Sequence, residues 1–250
     1  MFKNIVFDLG GVVVEYDPKA YLSRMFNDPA LEELLYNVIF ASEEWRQLDA
    51  GKITRTLAEQ RMLEHAGSRR YEAQLALDDW HELMSTKLDT VDLIMALRAA
   101  GYHPYFLSNI PEDVFEMFCR KRRFMQLFEG GIPSYAVKRI KPDPEIFRLL
   151  LERYHLQPEE TIFVDDAEEN IAIARELGIT GLQFKNAADL HKALVFLGIP
   201  VSVRRRHQPH PAEAETPVLH WPLWSAKKKK KAGAPRLSED NAHSGEKKDG

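Results

Sequence analysis

Cysteine is almost missing from this chain: Cys119 is the only one in 250 residues, so no intrachain disulfide can staple the fold. Long apolar runs are missing as well. No stretch approaches the roughly 18 residues of a membrane span, and no secretory apolar segment is present, so a reducing, cytoplasmic setting is expected. No internal repeat is found, which argues against a solenoid or a propeller. A charge excess is also missing overall, but the net −4 hides a split. Residues 201–250 hold 11 Lys/Arg against 6 Asp/Glu and carry +5, whereas the first 200 residues carry −9.

What is there is an ordinary globular composition, 44% apolar and 29% charged, long enough for one α/β domain with an insertion. The most informative stretch is Ile5-Val6-Phe7-Asp8-Leu9-Gly10-Gly11-Val12-Val13-Val14. An apolar, β-branched run fits a strand buried on both faces, and it delivers Asp8 into a turn made permissive by two glycines. In open α/β sheets ligands bind at the carboxyl ends of strands. The plainer reading is a strand that stops at an Asp-Gly turn.

After Asp17-Pro18, a plausible helix start, helical spacing dominates. It is carried by Tyr21 to Phe26, Leu31 to Ile39, Glu43 to Leu48, a helix capped by Thr54 that runs through His65 to a stop at Gly67, and Tyr71 to Met84. So long a helical block exceeds what a crossover between strands requires and reads as an insertion. From Val91 the rhythm becomes α/β. A helix runs to Gly101, and the strand His103 to Leu107 ends in Ser108-Asn109. Asn109-Ile110-Pro111-Glu112 then resembles a helix start with a capping box. Arg120 to Arg123 close that helix, where cations suit the helix dipole. A weak strand around Ile132 leads to Lys141, followed by a helix capped by Asp143. Thr161 to Val164 is another strand, ending in Asp165-Asp166, and Gly181 to Phe184 with Leu190 to Leu197 complete the pattern. Residues 200–250 lack apolar periodicity and are expected to form a disordered basic tail, with Trp221 and Trp224 as an apolar exception.

Four strand ends or following loops thus carry polar groups: Asp8, Ser108 with Asn109, Lys141, and Asp165 with Asp166. Each has a structural alternative as a cap or a turn, but a parallel sheet would bring all of them to one edge. Their order and spacing resemble the haloacid dehalogenase-like (HAD) hydrolase superfamily, in the subgroup with a helical cap after the first strand. That subgroup includes bacterial sugar-1-phosphate phosphatases and the phosphatase domain of epoxide hydrolase.

The resemblance covers residues 1 to about 199 and implies a Rossmann-like parallel core (residues 1–15 and 88–199) with a helical cap (16–87), leaving the tail outside it. It implies Asp8 as nucleophile, Ser108 and Asn109 at the phosphate, Lys141 as the charge that offsets nucleophile and substrate, and Asp8, Asp166 and the Gly10 carbonyl as Mg²⁺ ligands. Asp165 and Asn170 would support them, Asn170 through the metal's water or Lys141. Trp45 and Asp49 to Gly51 fall in the cap, where the family's selectivity lies, although core packing explains Trp45 equally simply.

Phosphoryl transfer needs an in-line nucleophile and positive charge around the equatorial oxygens, which these residue types supply. One departure stands out. The family's phosphatases usually carry a second Asp, as general acid and base, where this chain has Gly10. Glu15, Asp17 or a residue of the cap would have to reach in, or that assistance is dispensed with and good leaving groups are favoured. The expected reaction is Mg²⁺-dependent hydrolysis of a small phosphorylated metabolite. The alternatives are a metal-free dehalogenase-type hydrolase and a silent binding protein whose Lys227 to Lys231 attract nucleic acid or an acidic membrane.

Overall fold

The structure is a computed structural model, and it describes residues 1–78, 80 and 84–202. Trp221, Trp224 and the lysine run of the tail lie outside the described residues.

Five strands form the sheet: β1 (Asn4–Phe7), β2 (His103–Ser108), β3 (Gly130–Pro133), β4 (Thr161–Asp165) and β5 (Thr180–Gln183). They are all parallel, in the order β3-β2-β1-β4-β5. β1 lies at the centre, with Phe7 in register with Phe106 on one side and Val164 on the other. The chain moves outward from β1 through β2 to β3, then returns to lay β4 and β5 on the opposite flank. This makes the β1/β4 border a switch point, where a crevice opens at the carboxyl edge.

Both faces of the sheet are covered, which explains why β1, β2 and β4 read as nearly continuous apolar runs. Successive side chains go to opposite faces. Val6, Tyr105, Leu107 and Phe163 pack with Phe147 and Leu150 of α9 (Pro144–Tyr154) and Ile171 of α10 (Glu168–Glu176). The Phe147 and Phe163 rings meet edge to face, with centroids 5.1 Å apart. Phe7 and Phe106 project to the other face and both contact Phe128. Helices α6 (Leu88–Ala99), α7 (Glu112–Lys121), α8 (Ser134–Val137) and α11 (Ala187–Phe196) complete the sheet-associated elements.

The expected helical insertion follows β1. It comprises α1 (Pro18–Phe26), α2 (Pro29–Leu35) running on through a π-helical turn at Tyr36–Phe40, α3 (Glu43–Asp49), α4 (Arg55–His65) and α5 (Arg70–Asp78). Side-chain oxygens of Asp17, Asp28, Ser42 and Thr54 cap α1 to α4 and satisfy otherwise orphaned N–H groups. The outgoing and returning chain segments run side by side. The N–H of Glu15 bonds Ser85 O at 2.8 Å, and that of Lys87 bonds Val13 O at 2.9 Å. Inside the insertion an aromatic chain links Tyr21, Phe40, Trp45 and Trp80.

Of the helix read from Tyr71 to Met84, α5 covers the part up to Asp78, and residues 79 and 81–83 lie outside the described residues. One local expectation is corrected. The capping box at Asn109 does not form, because α7 starts at Glu112 behind Pro111 without a side-chain cap. Asn109 is committed elsewhere.

Candidate active site

Asp8 follows β1 directly, and Ser108 and Asp165 are the last residues of β2 and β4, so the parallel register brings the three to one edge. Lys141 enters from the loop between α8 and α9. Its side chain is 1% exposed, and its Nζ lies 3.0 Å from Asp8 Oδ1 and 2.6 Å from Asp165 Oδ2. Asn109 fixes that loop. Its Oδ1 accepts from the Lys141 N–H at 2.8 Å, and its Nδ2 donates to the Lys141 carbonyl at 3.0 Å.

Asp8 Oδ1 also accepts from the Leu9 N–H at 2.7 Å. Its second oxygen has no hydrogen bond among the described residues. Asp165 is fully engaged: besides Lys141 it accepts from the Ala167 N–H and from Asn170 Nδ2, both at 2.9 Å. Asn170 therefore reaches Lys141 only through Asp165, not directly as one sequence reading had it. Its own Oδ1 is buried with no partner.

Asp166 approaches β1 so closely that a Cβ on Gly11 would sit 2.2 Å from its Oδ2. Gly11 also has a φ of +71°, so backbone conformation and space both call for glycine there. Gly10 differs. A Cβ there would meet only Tyr16 Cβ, at 3.9 Å, so the fold would tolerate a side chain at this position.

The charges do not balance. Oxygens of Asp8, Asp165 and Asp166 lie within 4.8 Å of one another, and among the described residues Lys141 is the one cation that bonds into them. Burial is the largest influence on Asp8 and pushes its carboxyl up to about 7; Lys141 opposes this and Asp165 adds to it. Burial, then Asp165, also raises Asp166. Burial pulls Lys141 down, but the two hydrogen-bonded carboxylates outweigh it and hold the ammonium above its ordinary value. A divalent cation fits this surplus of carboxylates. The unpartnered Asn170 Oδ1 fits a hydrated ion nearby.

A cleft of about 400 Å³ stands over the edge, lined by Asp8, Gly10, Ser108 and Asp166 below and by Tyr16, Phe40, Trp45 and Asp49 above. Trp45 is both packed in the aromatic chain and part of the cleft wall, so the two readings of it are compatible. Glu15 pairs with Lys87 at 3.3 Å and Asp17 caps α1; neither lines the cleft. Sequence reasoning placed Asp49 only in a selectivity loop and missed Ser134. The Ser134 hydroxyl accepts from the Ile110 N–H at 2.8 Å and lies 2.6 Å from the Asp49 carbonyl.

The haloacid dehalogenase-like hydrolase family model matches residues 2–178. The chain is 32% identical over 213 residues to D-ribitol-5-phosphate phosphatase of Bacteroides thetaiotaomicron, covering 79% of this chain and 98% of that protein. It is 44% identical over 217 residues to acyl-CoA dehydrogenase family member 10 of Mus musculus, covering 80% of this chain but 20% of that one. Among solved structures, a HAD family enzyme of Bacteroides thetaiotaomicron, in complex with magnesium and inorganic phosphate, superimposes with a TM-score of 0.59. Identity is 28%, over 74% of this chain and 96% of that one. With the five-stranded parallel sheet and the carboxylate–lysine edge already described, these likenesses place the chain in the haloacid dehalogenase-like hydrolases.

Proposed function

We propose that this protein is a phosphatase that hydrolyses a small phosphorylated metabolite, such as a sugar phosphate, through an aspartyl-phosphate on Asp8. The observation that carries this reading is the edge itself: a carboxylate oxygen left unbonded, a lysine buried against its partner oxygen, and acidic neighbours in excess of cationic ones. The unbonded Asp8 oxygen attacks phosphorus, the ester oxygen departs, and water then releases inorganic phosphate and restores Asp8. Lys141 lowers the repulsion between Asp8 and the anionic substrate, and Asn109 holds Lys141 in place. Ser108, buried at the end of β2, faces the transferred group. Asp8, Asp166 and the Gly10 carbonyl would hold Mg²⁺, which neutralises charge on the phosphoryl oxygens when bound. Residues 16–87 act as a cap over a core made of 1–15 and 88–199, and the cleft's size selects small substrates. The relative that acts on ribitol 5-phosphate and the neighbour that binds magnesium and phosphate support this reading. A haloacid would bring a carboxylate of its own beside three others, which disfavours the dehalogenase alternative.

A panel of phosphate esters assayed with Mg²⁺ and with EDTA tests the proposal. Phosphate release that needs Mg²⁺ and vanishes in Asp8→Asn is expected, with Asp166→Ala requiring far more metal. Turnover indifferent to EDTA, or Asp8→Asn within about tenfold of wild type, a difference of only ~1.4 kcal/mol in barrier, contradicts it.

A further inference from the structure

Phosphoryl transfer to Asp8 leaves an alkoxide unless something protonates the departing oxygen, and Gly10 offers no side chain for that purpose. The fold does not impose this absence, since a Cβ would fit there. The cleft contains another carboxyl group with the required attributes. Asp49 faces it from the cap, opposite Asp8. Its Oδ1 is sealed from solvent and has no hydrogen-bond partner. It is the last residue of α3, where the negative end of the helix dipole disfavours a carboxylate. An ionised, unpartnered oxygen there would be costly, so the neutral acid is the stable form.

The main chain around Asp49 is pinned to the core rather than left to swing. Ser134 Oγ bonds its carbonyl at 2.6 Å and at the same time takes the Ile110 N–H, two residues beyond Ser108. Lys138 Nζ donates to the Gly51 carbonyl. Gly51 itself, at a φ of +58°, lies so close to Tyr135 that a Cβ would sit 2.5 Å from the Tyr135 carbonyl oxygen. The turn after α3 is therefore docked on α8, and Asp49 is held in the wall of the cleft.

We propose that Asp49 is the proton donor to the leaving oxygen, filling from the cap the role that Gly10 leaves without a side chain; this rests on the phosphatase reading above. As Asp8 bonds to phosphorus and the phosphorus–oxygen ester bond breaks, the Asp49 O–H proton passes to the departing oxygen and a neutral alcohol leaves. The Asp49 carboxylate then takes a proton from the water that attacks the aspartyl-phosphate. Asp8 is regenerated, phosphate is released, and Asp49 is again the acid.

The surroundings agree with a proton-holding group. Burial first, and then Asp8 from below and Asp113 on α7, push the Asp49 carboxyl up to about 8, against Arg55 at the start of α4. Arg55 bonds Asp113 through Nε at 2.9 Å and Nη2 at 3.2 Å and lies over the Trp80 ring, while its buried Nη1 has no hydrogen-bond partner. Tyr16 and Arg46 share the cleft with Asp49, and Lys138 is occupied by Gly51.

The test compares wild type with Asp49→Asn and Asp49→Ser on substituted phenyl phosphates and on matched sugar 1- and 6-phosphates. Wild type should show little dependence on leaving-group acidity. In kcat/KM, which ends at departure of the alcohol and so leaves out the shared hydrolysis of the aspartyl-phosphate, the variants should lose about 10²–10⁴-fold on the 6-phosphate and the least acidic phenols, yet remain near wild type on the most acidic phenol. The wild-type rate on a poor leaving group should fall as pH rises through about 8, and that limb should be missing in the variants. Folding is checked in the same samples. A raised carboxyl pKa means the native state binds a proton that the unfolded chain has released between the ordinary and the raised value, so wild type loses stability with rising pH across that window. The melting temperature of Asp49→Asn relative to wild type should therefore climb from acid pH toward 8. A parallel fall in kcat/KM on every ester overturns the assignment while sparing the phosphatase reading. Wild-type protein inert toward every ester overturns both.

Discussion

Lys141 shows how much one side chain carries at the residue scale. It is buried, two carboxylates bond to it, and a third lies beside them. Removing the ammonium strands buried negative charge, which is costlier than losing the pair's own attraction. Lys141→Met should therefore destabilise the protein by about 3–5 kcal/mol at neutral pH as well as abolish turnover, as denaturant unfolding would show. The sign follows from its raised pKa. The native state holds this proton more tightly than the unfolded chain does, so the stabilisation is complete below the ordinary lysine value and fades only as pH rises beyond it. A variant as stable as wild type at neutral pH would show that the carboxylates are neutral without it. Residues such as Lys141, Asp8 and Asp165 were legible because a strand end or an adjoining loop in a parallel sheet points to one edge whatever the rest of the chain does. Asn109 was half legible. Its Asn-x-x-Glu spacing imitates a helix start, but Pro111 heads the helix and the amide instead clamps a residue 32 positions further on.

At the scale of elements, the docking of the α3 turn on α8 ties the helical insertion to the sheet-associated elements. Ser134 links Asp49, 85 residues earlier, to the loop after β2. Ser134→Ala leaves the Ile110 N–H and the Asp49 carbonyl without this partner, at a cost of about 1–3 kcal/mol. It should also slow esters with poor leaving groups more than activated ones, because Asp49 loses its tether. Equal slowing across a phenyl phosphate series would mean that Ser134 serves the fold alone. None of this was readable beforehand. The helices of the insertion followed from their periodicity and caps, but a short helix of four residues has no period to detect, and what docks on it depends on tertiary geometry. The strand order was open for the same reason: apolar runs identify strands that are buried on both faces, while their neighbours are chosen by the crossovers.

At the scale of the whole molecule, the sheet edge and the helical insertion line the same cleft. In the proposed reaction the edge supplies the nucleophile and the groups that balance its charge, and the insertion supplies the acid. That reaction turns on covalent capture of phosphate by Asp8. The most direct measurement is an acid quench of wild-type protein during turnover with Mg²⁺, followed by mass analysis of the peptide that carries Asp8. The account predicts one phosphoryl group on Asp8, gained with substrate, lost as turnover completes, and never formed in Asp8→Asn. Full turnover with Asp8 unmodified at every quench time, or a phosphoryl group on a different residue, would contradict it.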